Sequence, residues 1–384
     1  MDNRQRDQRE RRVALLFDLM RLPGLAGHEQ QVATFMTEQM RPLADEVRED
    51  RLGNVIATVE GTDPDAPRVM LFAHMDSLGF IVRKIESDGF IRMHRLGGIP
   101  EKVLPALRVQ VGTSDGGAVS GVIAVKAHHV TPPEEKTRVT PLAELFLDIG
   151  ASSAGEVVEM GVQVGAPVTY TGHAEWLGGH RISGTAVDNR SGCLVILETL
   201  RQLRSNRPAA TVHVVATVQE EFNLRGAAPV AYQIEPDLAI CVDGGGAADT
   251  PDLHGLSDIT LGGGPVMSLY NFHGRGTLNG LMPHPSLVRL MTATAEDNDL
   301  PLQRSAGFGG LTDAAYVQLV RDGIACIDLG TARRYTHTPI ETTDLRDIDG
   351  LIELLGIAIG NIDASFDFRR DPARGEATDA ARSA

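Results

Sequence analysis

The sequence predicts an α/β domain, with helices on both faces of a sheet, that is interrupted by an inserted β domain. Strand-like and helix-like segments alternate up to about residue 78 and again after about residue 178. Between residues 79 and 171, short β-type runs recur instead, each ended by Gly, Asp or Pro. Alternation is typical of an α/β layer, and evenly spaced short strands are typical of a small barrel or sandwich. We therefore predict a catalytic domain in two pieces, 10–78 and 173–367, around a β-rich domain at 79–172.

Length, charge and cysteine content restrict the number of domains, the classes of partner and the compartment. At about 150 residues per domain, 384 residues predict two to three domains. The 51 acidic and 36 basic side chains give a net charge of −15, which argues against a nucleic-acid partner. No apolar run reaches the length of a membrane span. Three widely spaced cysteines predict a reducing, cytoplasmic compartment, and the polar segments 1–9 and 368–384 are expected to be disordered.

In the first half, two amphipathic helices precede two strands. Leu15, Leu16, Leu19 and Met20 share one helical face, and Val32, Phe35 and Met36 share another. Segments 54–60 and 68–76 are predicted strands, the second buried on both faces because its apolar run is nearly continuous. Inside the β-rich block, a short helix is predicted at 153–160, with Ser152 or Ser153 as its N-cap.

In the second half, helices are predicted at about 189–204, 286–297 and 312–321, and a last one near 348–359. Strands are predicted at 211–218, 238–242 and 324–330. The triple-glycine runs 244–246 and 262–264 are interpreted as loops with unusual backbone geometry. The string GTSDG at 112–116 fits a nucleophile elbow, but a second β-type run follows it, so a hairpin turn at Asp115 and Gly116 is favoured.

Acidic and histidine side chains recur where predicted strands end or helices begin. They are His74, Asp76, Asp188, Glu220, Glu221, Asp243 and His337. Each has an ordinary structural explanation, such as a helix N-cap for Asp188 or a solvated loop for Glu220 and Glu221. Charged groups seldom follow buried runs without partners, and ligands collect at the carboxyl ends of strands in α/β sheets. Spacing alone leaves a metal site and a set of unrelated structural residues as alternatives.

Six motifs in this order resemble the glutamyl-type, or TET, aminopeptidase family of co-catalytic metallopeptidases (peptidase family M42). They are AHMDSLGFIV (73–82), GTAVDNRSGC (184–193), VQEEFNLRGA (218–227), AICVDGG (239–245), GGLTDA (309–314) and RYTHTPIE (334–341). The resemblance covers about residues 10–365. It implies a mixed-sheet α/β/α metallopeptidase domain with an inserted, PDZ-like β-barrel dimerisation domain. It also implies dimers that assemble into dodecamers acting on short peptides, with no nucleic-acid or membrane partner.

Carried over position by position, the resemblance assigns roles to the site residues. One metal ion would be held by His74, Asp188 and Asp243, and a second by Asp188, Glu221 and His337. Zn²⁺, Co²⁺ or Mn²⁺ suits such His and carboxylate ligands. Glu220 would be the general base, and Asp76 would orient the His74 ring.

The loop containing Gly309, Gly310, Thr312 and Asp313 is expected to help bind substrate. This chain departs from the family pattern by an extra Leu311 in that loop, which puts the transfer of specificity in doubt. It also has Phe222 and Asn223 after the glutamates, where Asn tolerates the left-handed geometry that a glycine would adopt. The leading hypothesis is a dinuclear aminopeptidase. A deacylase or amidohydrolase with the same metal chemistry, and a non-catalytic metal-binding homologue, remain alternatives.

Overall fold

The computed structural model describes residues 3–274 and 276–371. Eight α-helices lie within these ranges: α1 Asn3–Arg21, α2 Gln30–Met40, α3 Ala154–Glu159, α4 Val187–Ser205, α5 Ala227–Ile234, α6 Pro285–Asp297, α7 Ala314–Val317 and α8 Leu345–Gly360. Among the described residues, none of the helices combines the length and the apolar character needed to cross a membrane.

The strands, in chain order, are β1 Glu46–Glu49, β2 Val55–Val59, β3 Val69–His74, β4 Gly79–Ile85, β5 Ile91–Leu96, β6 Arg108–Gly112, β7 Ala118–Ile123, β8 Leu147–Asp148, β9 Pro167–Tyr170, β10 Ala174–Leu177, β11 Arg181–Gly184, β12 Val212–Thr217, β13 Leu238–Gly246, β14 Val266–Phe272, β15 Gly280–Leu281, β16 Gln303–Phe308, β17 Ala325–Arg334 and β18 Glu341–Asp344.

One mixed sheet organises the α/β part. Its strand order is β1-β2-β12-β3-β13-β17-β18-β11-β10; β14 also pairs with β17, and β15 and β16 pair with β14. The neighbours β12, β3, β13 and β17 run parallel, so their carboxyl ends share one edge. Alternate side chains of β3 enter two cores: Leu71 packs with α1, α2, α4, α6 and α8, and Phe72 packs with α5 and α7. The sheet is therefore covered on both faces, as predicted.

The segment between β3 and β10 forms a closed antiparallel barrel. Its strand order is β4-β5-β8-β7-β6-β9, and its interior is a separate apolar core that includes Phe80, Val109 and Val168. The turn at Asp115 and Gly116 joins β6 to β7, with Gly116 at φ +86°, which confirms the hairpin prediction. The Ser153 hydroxyl accepts from the Glu156 amide, so Ser153 is the N-cap of α3. The predicted fold class, a mixed-sheet α/β domain with an inserted β-barrel, is confirmed.

Three predictions of local structure are wrong. Helix α1 begins at Asn3, so the predicted disorder of 1–9 is incorrect over residues 3–9; residues 1–2 and 372–384 lie outside the described part of the chain. Helix α7 has four residues instead of the predicted ten, because the chain leaves helical geometry soon after Val317 and Arg321 has a positive φ. The run 244–246 is not a loop but the end of β13, paired with β17. By contrast, Gly262 and Gly264 do have positive φ.

Candidate active site

The side chains predicted as metal ligands meet at the carboxyl edge of the parallel strands. His74 is the last residue of β3, and Asp243 lies near the end of β13. Glu221 follows β12, His337 follows β17, and Asp188 lies at the start of α4. Parallel strands bring their carboxyl ends to one edge, which explains why residues far apart in sequence meet there.

A first cluster of possible ligands consists of His74, Asp188 and Asp243, all buried. The His74 Nε2 atom lies 3.2 Å from Asp188 Oδ1 and 3.9 Å from Asp243 Oδ2. Separations of this size are compatible with donor atoms that each lie about 2.0–2.2 Å from one shared ion.

A second cluster consists of Asp188, Glu221 and His337. The His337 Nε2 atom lies 3.8 Å from Asp188 Oδ2 and 3.7 Å from Glu221 Oε1. Asp188 thus directs one oxygen toward each cluster. Glu221 Oε1 is buried and has no hydrogen-bond partner, as expected for an oxygen reserved for a cation.

Hydrogen bonds fix the orientation of both imidazoles. His337 Nδ1 lies 2.7 Å from the Gly98 carbonyl oxygen, in the loop after β5, and His74 Nδ1 lies 3.2 Å from the Asp76 carbonyl oxygen. A carbonyl oxygen can only accept, so each Nδ1 carries the proton. The Nε2 atoms face the two clusters, so a ring in its neutral form would offer its Nε2 lone pair to a cation there, which is the usual arrangement for metal-binding histidines.

Asp76 organises the loop after β12. Its Oδ1 and Oδ2 atoms accept from the backbone amides of Glu220 and Glu221, both at 2.9 Å. Asp76 Oδ1 is also 3.5 Å from His74 Nδ1. Asp76 therefore holds the two glutamates in place in addition to facing the His74 ring, which was its only predicted contact.

Glu220 lies beside the clusters but belongs to neither. Its Oε2 atom is 3.9 Å from His74 Nε2. Burial raises the pKa of Glu220 well above its usual value; the neighbouring Glu221 and Asp243 carboxylates add to the rise, and His74 opposes it. A carboxyl group with a raised pKa is suited to accept and return a proton.

Glu341 connects the backbones of two candidate ligands. Its Oε2 atom accepts from the Asp188 amide at 2.8 Å, and its Oε1 atom accepts from the His337 amide at 2.7 Å. No role was predicted for Glu341 from the sequence. The available signal was its position at the end of RYTHTPIE, four residues after His337.

Arg333 is a second residue whose place in the site was not predicted from the sequence. It lies in β17 and is 1% exposed. Its Nη1 atom is 2.6 Å from Asp188 Oδ1 and 3.4 Å from Asp243 Oδ1, and its Nη2 atom donates to Asn189 Oδ1 at 2.7 Å. Although burial would raise the pKa of Asp188, Arg333 and the two imidazoles hold it well below the usual range.

The predicted substrate-binding loop is divided between surface and interior. Gly309 and Gly310 lie at the surface, Gly309 with φ +97°. Thr312 is buried and donates to Asp328 Oδ2 at 3.1 Å, while Asp313 accepts from Thr217 at 3.0 Å. The Thr312 and Asp313 side chains therefore take part in a buried polar network, and contact with substrate remains a prediction for this loop.

A small cavity of about 90 Å³ adjoins the second cluster. Asp188 and His337 line it, together with the apolar side chains of Met20, Leu22 and Leu78. Barrel residues, including Tyr170, close another side. The cavity therefore joins candidate metal ligands to a mainly apolar space.

Known proteins resemble this chain in sequence and in fold. The M42 glutamyl aminopeptidase family matches residues 53–354. The Escherichia coli protein SgcX is 41% identical over 356 residues, which cover 93% of this chain and 95% of SgcX. An aminopeptidase structure from the archaeon Desulfurococcus kamchatkensis has a TM-score of 0.87 and 34% identity, covering 94% of this chain and 97% of that one.

A further solved structure is the TET1 peptidase of Pyrococcus horikoshii, described as able to assemble into a tetrahedron or a large octahedral shell. Its TM-score is 0.81 at 27% identity, covering 91% of this chain and all of that one. The family match and the SgcX alignment both span most of the chain. The chain therefore belongs to the M42 glutamyl aminopeptidase family, and it is a peptidase of the aminopeptidase type.

Proposed function

We propose that this member of the M42 family is a dinuclear metal-dependent aminopeptidase that removes N-terminal residues from short peptides. The observation that carries the proposal is the pair of ligand clusters that share Asp188, with the unligated carboxylate of Glu220 beside them. A single cluster would be compatible with a structural metal site. Two clusters with one shared carboxylate, next to a possible base, fit a hydrolytic centre better.

The residues present fit two divalent cations. His74, Asp188 and Asp243 would hold one, and Asp188, Glu221 and His337 the other. Neutral imidazole and carboxylate donors without thiolate suit Zn²⁺, Co²⁺ or Mn²⁺. When bound, such a pair supplies the Lewis acidity that activates water and polarises the scissile carbonyl.

Glu220 would carry the protons of the reaction. Its carboxylate accepts a proton from the attacking water and later donates it to the leaving amine nitrogen. Asp76 supports this role because it holds the Glu220 and Glu221 amides, and the raised pKa of Glu220 favours the protonated form that must serve as the acid.

The exopeptidase character follows from charge and shape. A free N-terminus carries a positive charge, and the carboxylates around the two clusters attract it. The apolar walls beside Asp188 and His337 favour an uncharged side chain such as Leu or Met next to the scissile bond. We therefore expect apolar aminoacyl substrates to react fastest.

We also propose that the chain forms homo-oligomers in the cytoplasm. We assign the segment 79–172 as a dimerisation domain and the segments 10–78 and 173–367 as the catalytic domain. The TET1 peptidase assembles into closed shells, and a similar dodecamer would admit only small or unfolded peptides. Multi-angle light scattering tests this assembly; a stable monomer would contradict it.

The direct test is a substrate panel on protein reconstituted with Zn²⁺, Co²⁺ or Mn²⁺. We expect hydrolysis of aminoacyl-p-nitroanilides with Leu or Met and no hydrolysis of their N-acetylated forms. Activity on the blocked substrates alone would favour the deacylase alternative. Tight metal binding without any hydrolysis would favour the non-catalytic one.

A further inference from the structure

Arg333 places a fixed positive charge inside the candidate metal centre. Its guanidinium contacts Asp188 Oδ1 at 2.6 Å and Asp243 Oδ1 at 3.4 Å, so it touches two of the three ligands of the first cluster. Guanidinium keeps its charge at every accessible pH. A cation that binds the first cluster therefore meets a charge of the same sign.

The surrounding structure is built to accommodate this guanidinium. The Asn189 side chain accepts from Nη2 at 2.7 Å and donates to the Val242 carbonyl oxygen at 2.8 Å, so the amide is held in one orientation. A Cβ atom at Gly244 would lie 2.2 Å from the Arg333 Cζ and Nε atoms, which means that only glycine leaves the necessary space. The position of Arg333 is thus determined by at least two neighbours besides the carboxylates.

We propose that Arg333 is a positioning residue that sets unequal affinities for the two metal ions. It holds Asp188 and Asp243 together without metal and weakens cation binding at the first cluster. The effect on the second cluster is smaller, because that cluster uses the other Asp188 oxygen, Oδ2. The proposal rests on the ligand sets of the proposed function.

The affinity of each cluster can be measured separately. In a His337→Ala background the first cluster keeps all its ligands, and in a His74→Ala background the second does. Cobalt(II) is titrated into the metal-free full-length protein by calorimetry, with a competing chelator where binding is tight. Combining each background with Arg333→Met then measures the effect of the charge on one cluster at a time.

We expect Arg333→Met to tighten cobalt binding at the first cluster by about tenfold or more, because a unit charge in contact with the ligands is removed. The gain at the second cluster should be clearly smaller. Arg333→Lys, which keeps the charge, should stay within about threefold of its parent. The matched control is Arg334→Met: the Arg334 guanidinium pairs with Asp249 instead of the ligands, so cobalt affinity should not change.

Circular dichroism and cooperative unfolding establish that each variant is folded, and Arg333→Gln replaces Arg333→Met if the latter is not. Unchanged or weaker cobalt binding at the first cluster in the neutral variant would overturn the role of Arg333. That result leaves the proposed function standing, because the wild-type protein would still bind cobalt. If the wild-type protein itself bound no cobalt at these residues, the proposed function and the role of Arg333 would both fall.

Discussion

The most specific structural prediction concerns Glu341, whose single carboxylate accepts from the amides of Asp188 and His337. In Glu341→Gln the side chain keeps its shape but retains one acceptor oxygen and gains an NH₂ group. One backbone amide then faces a donor. Glu341 is 2% exposed, so water does not replace the lost acceptor. Burial raises the pKa of Glu341 to about 8, so the comparison is made at about pH 9, where the carboxylate is ionised. A hydrogen bond to a charged group contributes about 1.5–3 kcal/mol, whereas removing a buried charge recovers part of this. We expect a net loss of about 1–3 kcal/mol in the free energy of unfolding of the metal-free protein.

The same substitution should weaken metal binding, because Glu341 positions two ligands of the second cluster. Changes in residues that hold metal ligands typically reduce affinity or activity about 10- to 100-fold. Urea unfolding and cobalt titration measure the two effects. The matched control is Glu353→Gln, an exposed glutamate on α8, which should change neither quantity. If Glu341→Gln kept both its unfolding free energy and its cobalt affinity, Glu341 would not position Asp188 and His337 as described.

Three further predictions follow from charge and burial. Glu198→Gln should lower the free energy of unfolding by about 2–3 kcal/mol, because that carboxylate is 2% exposed and pairs with arginines of α1 and α4; a change below about 0.5 kcal/mol in urea unfolding would contradict this. Burial, together with two nearby arginines, lowers the pKa of His213 to about 4. Its unfolded pKa is near 6.5, so the neutral ring contributes fully to the free energy of unfolding above that pH, and this contribution is lost as the pH falls toward 4. In His213→Gln, the loss of unfolding free energy over that pH range should be smaller by up to about 3 kcal/mol. Equal slopes of unfolding free energy against pH in the two proteins would refute this. His74→Ala and His337→Ala should each reduce bound metal from two ions per chain to one by elemental analysis, and two ions in either variant would exclude that histidine as a ligand.

The large elements were predictable because their side-chain patterns are strong. The continuous apolar run of β3 predicts a strand buried on both faces, and polar residues directly after such runs predict the location of the site. The edge of the sheet around β14, β15 and β16 was missed. Its segments contain glycine and polar residues without clear alternation. The order that their own sequence does not provide comes from pairing: β14 pairs with β17, and β15 and β16 pair with β14.

The ligand types were predictable, but their supporting contacts were not. Arg333 is followed in sequence by a polar loop and looks like part of it. Only the register of β13 against β17, which pairs Gly244 with Thr331 and Gly246 with Arg333, shows how its side chain can return to Asp188. The run 244–246 resembles a loop for a related reason: at Gly244, glycine is needed for the space that the guanidinium fills, not for a turn. Such requirements come from tertiary contacts and leave no local pattern.

The central claim is that two metal ions are held by His74, Asp188, Glu221, Asp243 and His337 while Glu220 transfers the proton. Glu220→Gln tests it most directly, with bound metal and Leu-p-nitroanilide turnover measured on the same sample and Glu353→Gln as the control. We predict two ions per chain in both variants, and a kcat that falls by about 10²- to 10⁴-fold only in Glu220→Gln. Full turnover in Glu220→Gln, or loss of a metal ion from it, would contradict the assignment of Glu220 as the unligated base.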